Sequence, residues 1–369
     1  MKRGFSAYLD LVRISAAVVV FLHHLALDFG CYAPGAACAP LARMVPFHAG
    51  HSAVVIFFVL SGYVITYVAS ERERTLRQFA LARAARIYSV AIPVLALVCC
   101  LDAYAAAGGR WAGIPVYQYA APYKYVPLML GFATDHWFLA ENAFSLGAWW
   151  SVAYEVWYYV AFAAVFFARG WARWVLGGAV LLVMGPKLVA LFPLWLFGSM
   201  VYRLHRAGAS AGRAGPWVFG VTLALMAALL FSDVLPALND GMDASTGGWI
   251  AAHLRFSQWF AGDLVLAVLF AANIYAAKDV IGDFGRADAP VRFVAAYTFT
   301  FYMVHGPVQK TVAQSLGTGL AATALLTIAF TFAFGQVTER QKGRLRRLLE
   351  RALDRLEAPL SRLHKPGPA

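Results

Sequence analysis

Residues 8–29 read YLDLVRISAAVVVFLHHLALDF, and this stretch decides the fold. It is almost entirely apolar and, as a helix, is long enough to cross the ~30 Å hydrocarbon core of a bilayer. It nevertheless carries side chains that are costly to place in lipid, namely Asp10, Arg13, His23 and His24. We therefore interpret it as a membrane-spanning helix whose polar side chains face protein.

Arg13 and His24 are predicted to share one face of this helix. They are eleven residues apart in the sequence. At about 100° per residue this is three turns with roughly 20° left over, so both side chains point the same way about 16 Å apart. Such a stripe suits a polar track through the protein. The alternative is an ion pair between Asp10 and Arg13 near the headgroups, together with a histidine that a neighbouring helix satisfies.

The composition identifies the class of protein. Of 369 residues, 61% are hydrophobic and 14% are charged, which is more apolar than an ordinary soluble domain. The net charge of +12 is concentrated in short runs. We interpret these runs as signals of membrane orientation and of contact with anionic lipids, not as nucleic-acid binding.

Apolar runs that cross or nearly cross a bilayer occur at about ten positions. They begin near Tyr8, Ser52, Ile87, Gly147, Val175, Leu188, Trp217, Gln258, Val291 and Leu320. Arginine-rich loops at 70–86, 169–173 and 202–213 fall on alternate connections, on the side of the basic start and end of the chain. The positive-inside rule therefore places both termini in the cytosol.

This pattern predicts an all-α polytopic membrane helix bundle of about ten transmembrane helices. Residues 1–336 would form the transmembrane domain, and residues 337–369 a basic amphipathic tail on the inner leaflet. The segment Val175–Leu204 is interrupted at 185–187 by Gly, Pro and Lys, and we expect either two short spans or one broken helix.

The four cysteines give little further direction. Cys31 and Cys38 fall in the first external loop, and their spacing leaves open whether they form a disulfide. No metal-ligand spacing of the Cys/His type occurs in the sequence, so no metal is expected.

Polar residues divide by depth into two groups. His24, His51, Glu155 and His305 are expected in the external half of the bundle, whereas Arg13, Arg83 and Arg86 belong to the cytosolic half. A buried imidazole and a buried carboxylate are natural partners for general-base chemistry. The division predicts a cationic cytosolic chamber and an external acid/base chamber, joined by a polar seam.

The order of the motifs resembles the membrane-bound acyltransferase-3 family. Its hallmark, an arginine followed by ten residues and a histidine, is matched by Arg13 and His24. GHSAVVIFFVLSGYVI, FALARAARIYSVAIP, WWSVAYEVWYYV and YTFTFYMVHGPV then resemble the later family motifs in the same order. Where the family commonly has an aspartate in the second motif, this chain has Ser52, and His51 precedes it.

The resemblance implies transfer of an acyl group, usually acetyl from cytosolic acetyl-CoA, to a carbohydrate hydroxyl at the periplasmic side of a bacterial inner membrane. Carried over by position, His24 is the essential histidine and general base, and Arg13 is its motif partner. Arg83 and Arg86 belong to the donor-side motif, and arginines can pair with the phosphates of coenzyme A. Alternatively, both arginines are explained by the positive-inside rule alone, without binding of the donor.

The remaining candidates have less specific roles. Glu155 is expected to orient or charge-balance the imidazolium of His24. His305 and Tyr302 are expected to line the acceptor or donor channel, with His51 nearby in the external half. Trp150 fits either an interfacial belt or sugar stacking.

Other functions remain open at this stage. Intramembrane histidine and glutamate would also serve a proton-coupled transporter or flippase of a glycan or glycolipid. A lipid-binding or partner-binding scaffold without turnover is a third possibility. For an enzyme, direct transfer and a covalent acyl-enzyme are both compatible with the residues.

Overall fold

The computed structural model describes residues 2–108, 121–142 and 144–363. Throughout these ranges the secondary structure is helical, with no β-strand. Eight of the helices described are long and apolar enough to cross a membrane. The predicted all-α membrane bundle is therefore confirmed.

The helices follow one another with short connections. The first five are α1 (Arg3–Asp28), α2 (Ala39–Met44), α3 (Ala49–Glu71), α4 (Leu76–Ala107) and α5 (Pro122–Leu130). The next five are α6 (Trp149–Phe167), α7 (Ala172–Arg206), α8 (Gly215–Leu230), α9 (Val234–Ser245) and α10 (Trp249–Leu254). The last five are α11 (Phe260–Val280), α12 (Asp288–Ala295), α13 (Thr298–Lys310), α14 (Leu320–Val337) and α15 (Lys342–Leu363).

We call the end of the bundle at which α1 begins the inner face, and the end at which α1 finishes the outer face. The sequence predicts that the inner face is cytosolic. Helix α3 runs antiparallel to α1. In the second half of α3, Tyr63 meets Phe5 in the first turn of α1, with ring centroids 5.6 Å apart. At its start, Gly50 lies against the ring of His23.

Both ends of α7 lie at the inner face. Just before it, Phe167 contacts Phe79 in the first turn of α4, with ring centroids 5.5 Å apart. Near its end, the Tyr202 hydroxyl donates a 2.9 Å hydrogen bond to Glu71 in the last turn of α3. A 35-residue helix that begins and ends on one face must turn back within its length.

The reversal is at Gly185, whose backbone is non-helical with φ 74° and ψ 178°. A Cβ atom here would lie 2.7 Å from the backbone nitrogen of Trp137, in the α5–α6 connection at the outer face. Glycine alone meets both requirements without strain. Of the two expectations for Val175–Leu204, two short spans is therefore the arrangement formed.

Helix α13 supplies a further crossing. The Thr300 hydroxyl donates a 3.0 Å hydrogen bond to Glu339 at the inner face, and Gln309 donates one of 3.2 Å to the Phe21 carbonyl oxygen toward the outer face. Among the described residues, the eight long helices give ten crossings of the bundle when α7 is counted twice and α13 is added. An even number leaves Lys2 and Leu363 on the same face.

Two glycines let α3 and α7 pack closely. A Cβ atom on Gly62 would lie 1.8 Å from the Trp195 carbonyl oxygen, and one on Gly198 would lie 1.8 Å from the Val59 carbonyl oxygen. Small residues at a helix crossing allow the two backbones to approach. As a result the Trp195 indole donates a 3.1 Å hydrogen bond to Ser61, which faces the bundle interior.

Helix α15 lies within the segment interpreted as a tail. Helix α15 is amphipathic and packs against α4, where Arg77 is paired with Asp354. Residues 364–369, the end of the predicted tail, lie outside the described residues.

Candidate functional site

His24 and His305 form a pair of imidazoles in the outer half of the bundle. His24 Nδ1 lies 2.7 Å from His305 Nε2, and the two rings are inclined by only 27°. The contact forms because α1 and α13 pack side by side. His305 is buried, and its Nδ1 lies 3.1 Å from the Phe301 carbonyl oxygen.

These two hydrogen bonds determine the tautomers of the neutral pair. A carbonyl oxygen can only accept, so His305 Nδ1 carries a proton and donates it to Phe301. The lone pair of a neutral His305 is then on Nε2, and His24 Nδ1 must donate to it. The other nitrogen of His24, Nε2, is left unprotonated and able to accept a proton.

His24 lines a cavity of about 590 Å³, which we call the outer cavity. His51 and Trp150 also line it, with their rings 8° from parallel and centroids 5.7 Å apart. His51 Nε2 lies 2.8 Å from a carboxylate oxygen of Asp263. The outer cavity therefore combines aromatic side chains with polar groups able to form hydrogen bonds.

Arg13 and Arg86 line a smaller cavity of about 60 Å³, which we call the inner cavity. Glu155 lines the same cavity, and its carboxylate accepts a 2.6 Å hydrogen bond from Ser61 and another from Tyr159. Two guanidinium groups face one carboxylate, so the charge of this wall is net positive and favours an anionic or strongly polarised ligand.

Arg13 also contacts Asp10, with 3.4 Å between Arg13 Nη1 and the carboxylate. The two interpretations of Arg13 are therefore compatible, because the ion pair forms while the side chain still reaches the inner cavity. The geometry agrees with the spacing argument, since Arg13 and His24 reach successive cavities along one stripe of α1.

Tyr302 joins the two cavities. Its side chain lines both, as does that of Val54, and its hydroxyl lies 2.6 Å from Ser151 Oγ. The inner cavity and the outer cavity are therefore adjacent, although Glu155, which was expected in the outer one, lines the inner one. Tyr302 and Ser151 form a polar pair where the two cavities meet.

Glu155 does not lie beside His24 as expected. Its carboxylate is held by Ser61 and Tyr159 in the inner cavity, whereas His24 is paired with His305. The physical reason is the packing of the helices. At the depth of His24, α1 packs against α13, which carries His305, whereas α6, which carries Glu155, faces α3. His305 occupies the position beside His24 that was expected for Glu155.

Arg83 and Arg86 reach different cavities. Arg83 lines a third cavity of about 730 Å³ in the inner half, which we call the Arg83 cavity. Its Nη2 lies 2.9 and 3.1 Å from the two carboxylate oxygens of Glu73, while its buried Nε has no partner among the described residues. Tyr159 lines both the Arg83 cavity and the inner cavity, so these two cavities are adjacent.

Asp263 and Ser151 are among the residues of the site that were not predicted. Asp263 is an acid at the start of the apolar run of α11. The argument that singled out Arg13, namely the cost of a charged side chain in lipid, would also have identified Asp263. Ser151 carries no such signal, because a serine is common in membrane helices. Its role became visible only through its contact with Tyr302.

The loop that follows α1 at the outer face is held by a disulfide and a hydrogen bond. Cys31 and Cys38 form a disulfide, the alternative that their spacing had left open. Between them, the Tyr32 hydroxyl donates a 2.8 Å hydrogen bond to the Val45 carbonyl oxygen and lies 3.2 Å from His23 Nδ1. His23 itself lines the outer cavity, so this loop contacts one of the residues in its wall.

The chain was compared with known proteins. A family model described as an acyltransferase domain, of the acyltransferase-3 type, matches residues 6–339. No curated protein and no solved structure matched the chain. The matched range includes every cavity-lining residue discussed above.

Proposed function

Because the chain belongs to the acyltransferase-3 family and is a multi-pass membrane acyltransferase, we propose that it is an O-acyltransferase. In this proposal it moves an acetyl group from cytosolic acetyl-CoA to a carbohydrate hydroxyl at the outer side of a bacterial inner membrane. The observation that carries the proposal is the position of His24. Its side chain lines the outer cavity, which shares Tyr302 with the arginine-lined inner cavity.

His24 acts as general base. The acceptor hydroxyl gives its proton to His24 Nε2 while its oxygen bonds to the thioester carbonyl carbon. The carbon–sulfur bond breaks, coenzyme A leaves as a thiolate, and the imidazolium returns the proton to that sulfur. His305 accepts the hydrogen bond from His24 Nδ1 throughout, which orients the ring and stabilises the imidazolium.

The donor enters from the inner face. The inner cavity, at about 60 Å³, is far smaller than the roughly 300 Å³ at which small-molecule pockets begin. The coenzyme A portion therefore lies in the Arg83 cavity, where Arg74 and Arg83 can pair with its phosphates. Only the acyl end passes Tyr159 into the inner cavity, beside Arg86. The small volume supports an acetyl group in preference to a longer chain.

The acceptor enters from the outer face. A sugar ring has apolar faces that stack on aromatic rings, and hydroxyls that bond to carboxylates and imidazoles. Trp150, which is stacked on Phe256 and His51, supplies part of the aromatic wall of the outer cavity, and the His51–Asp263 pair supplies polar partners. A hydroxyl that reaches past Tyr302 meets His24 on one side and the acyl end of the donor on the other.

The test uses membranes that carry the protein, supplied with radiolabelled acetyl-CoA. Label on surface glycans is expected with the wild type and should fall at least about a hundredfold in His24→Ala, the range of a lost general base. His253→Ala is the matched control, because His253 is in α10 at the outer face and does not line the outer cavity. Unchanged label in His24→Ala would remove this residue from the mechanism.

The same assay separates the other functions. A transporter or flippase predicts no labelled glycan with either protein, together with proton-coupled glycan flux. A covalent mechanism predicts labelled protein when the donor is added without an acceptor. We propose direct transfer, because the side chain in hydrogen-bond contact with His24 is another histidine and not a serine or cysteine nucleophile.

A further inference from the structure

A fourth cavity lies next to the outer cavity. It has a volume of about 410 Å³ between α1, α3, α8 and α11, and we call it the α8 groove. Its described wall is apolar except for Tyr8, Ser15 and Ser52, and it has no charged side chain. The Tyr8 hydroxyl is bonded to Asn273. The groove therefore offers a surface suited to hydrocarbon.

The groove is open to the membrane. One side of the groove is formed by α8. Only 11% of the most apolar window of the span that contains α8 is buried, which is the lowest fraction among the candidate spans. Leu223 and Ala227 on this helix line the groove and are exposed. In the hydrocarbon region no water is present to fill an opening between helices. An apolar chain from the membrane is the natural occupant.

The groove is continuous with the outer cavity. Ser52 and Leu235 line both of them. Along α1 the groove extends from Val19 back to Tyr8, which is about 16 Å of helix directed toward the inner face. An amphiphile of the outer leaflet has the same polarity, with its head at the outer face and its chain directed toward the middle of the membrane.

We propose that the α8 groove binds the hydrocarbon chain of a lipid-linked acceptor whose carbohydrate head lies in the outer cavity beside His24. This inference rests on the proposed function and narrows its acceptor to carbohydrates carried on a membrane lipid. The acyl chain of the donor is a poorer occupant, because the groove shares no lining residue with either the inner cavity or the Arg83 cavity.

The test introduces a phenylalanine side chain into the α8 groove. Ala227→Phe fills it from α8, and Ala228→Phe is the matched control, because Ala228 is the next exposed residue of the same helix and does not line the groove. Two acceptors are compared, namely lipid-linked glycans extracted from the source membranes and the same glycans released from their lipid by mild acid. Labelled acetyl-CoA is the donor for both.

The wild type is expected to prefer the lipid-linked acceptor. Ala227→Phe should lower the ratio of kcat/KM for the lipid-linked acceptor to that for the released glycan about tenfold, since each methylene displaced from apolar contact weakens binding several-fold. Ala228→Phe should keep the wild-type ratio. Equal use of both acceptors by the wild type, or an unchanged ratio in Ala227→Phe, would overturn the inference.

Two further readouts separate the ways in which the inference can fail. If Ala227→Phe lowers the use of long-chain acyl-CoA relative to acetyl-CoA, and the acceptor ratio is unchanged, the groove belongs to the donor and the inference is wrong. Photolabelling with a diazirine-bearing lipid-linked glycan reports binding without turnover. Labelling that Ala227→Phe alone weakens would support the groove even if no acyl transfer occurred, in which case only the proposed function would fail.

Discussion

At the scale of single residues, the chemistry of His24 depends on what its Nδ1 atom contacts. A carboxylate there would favour the charged ring strongly, whereas the neutral imidazole of His305 mainly fixes the tautomer and orientation. The chain of bonds from His24 through His305 to the Phe301 carbonyl oxygen keeps Nε2 as the acceptor. His305 is therefore a positioning residue that acts through His24.

Replacing His305 tests this role. His305→Phe should lower kcat by about 10- to 100-fold, because a hydrogen bond to a group that becomes charged is worth about 1.5–3 kcal/mol. His305→Gln keeps an oxygen that can accept from His24 Nδ1, so it should retain more of the activity. KM for acetyl-CoA should change little in either variant. Equal kcat in His305→Phe and His305→Gln would reduce His305 to a packing residue.

The donor-side arginines can be tested separately. Arg86→Ala and Arg83→Ala should each raise KM for acetyl-CoA about tenfold or more, by loss of a charge-assisted hydrogen bond. Arg83→Lys should also be impaired, because an ammonium group cannot reproduce the planar fork. Both effects are measured by steady-state kinetics in membranes with equal amounts of inserted protein.

Glu73→Gln is the control for Arg83. Arg83 is bound to both oxygens of Glu73, so a purely structural ion pair predicts that Glu73→Gln and Arg83→Ala have the same effect. If Arg83 binds the donor, Arg83→Ala should raise KM for acetyl-CoA and Glu73→Gln should not, since loss of the Glu73 charge frees the guanidinium for phosphate. An unchanged KM in Arg83→Ala would leave Arg83 as a topology signal.

The cost of polar groups in lipid made several site residues predictable. Arg13 and His24 stand out in an apolar span, and both reach the predicted cavities. Their partners could not be predicted, because a one-dimensional depth does not say which helices are neighbours. Glu155 and His305 were both placed in the external half, yet only His305 is on a helix packed against α1 at His24.

At the scale of helices, the reversal of α7 at Gly185 determines how many times the chain crosses. The sequence marked this point with a Gly-Pro pair inside an apolar run but could not separate a kink from a hairpin. A kink and a hairpin differ here by a long-range contact, the approach of the Trp137 backbone to Gly185. Gly185 has a positive φ at this contact. The spans with uninterrupted hydropathy needed no such contact to be recognised.

Gly185→Ala should therefore destabilise the protein. The added Cβ meets the Trp137 backbone in a conformation that already strains an L-residue, and such positions cost about 1–3 kcal/mol. Gly178→Ala on the same helix is the control, since a Cβ there meets nothing within 4 Å. It should be neutral or slightly stabilising. Thermal unfolding in detergent measures both, and equal melting temperatures would argue against the hairpin.

At the scale of the whole molecule, the cavities form a series between the two faces. The Arg83 cavity meets the inner cavity at Tyr159, the inner cavity meets the outer cavity at Tyr302, and the outer cavity meets the α8 groove at Ser52. A donor from one side and an acceptor from the other can thus approach one histidine. In the part of the chain that the structure describes, this series lies within ten crossings, with both ends of α7 on the inner face.

Labelling of single cysteines tests this topology. With Cys99 and Cys100 replaced, Trp171→Cys and Ala207→Cys flank α7 at the inner face, and Ser245→Cys lies in α9 at the outer face. All three positions are exposed. A membrane-impermeant maleimide should label the first two only in inverted vesicles and the third only in right-side-out vesicles. Labelling of Trp171→Cys and Ala207→Cys from opposite sides would contradict the hairpin.

The most direct measurement of the central claim is chemical rescue of His24→Ala. The outer cavity, at about 590 Å³, has room for a free imidazole in place of the missing side chain. Acetyl transfer should be lost in His24→Ala and restored in part, in proportion to the concentration of added imidazole, while the wild type is unaffected. Wild-type rates in His24→Ala without imidazole would show that another group takes the proton.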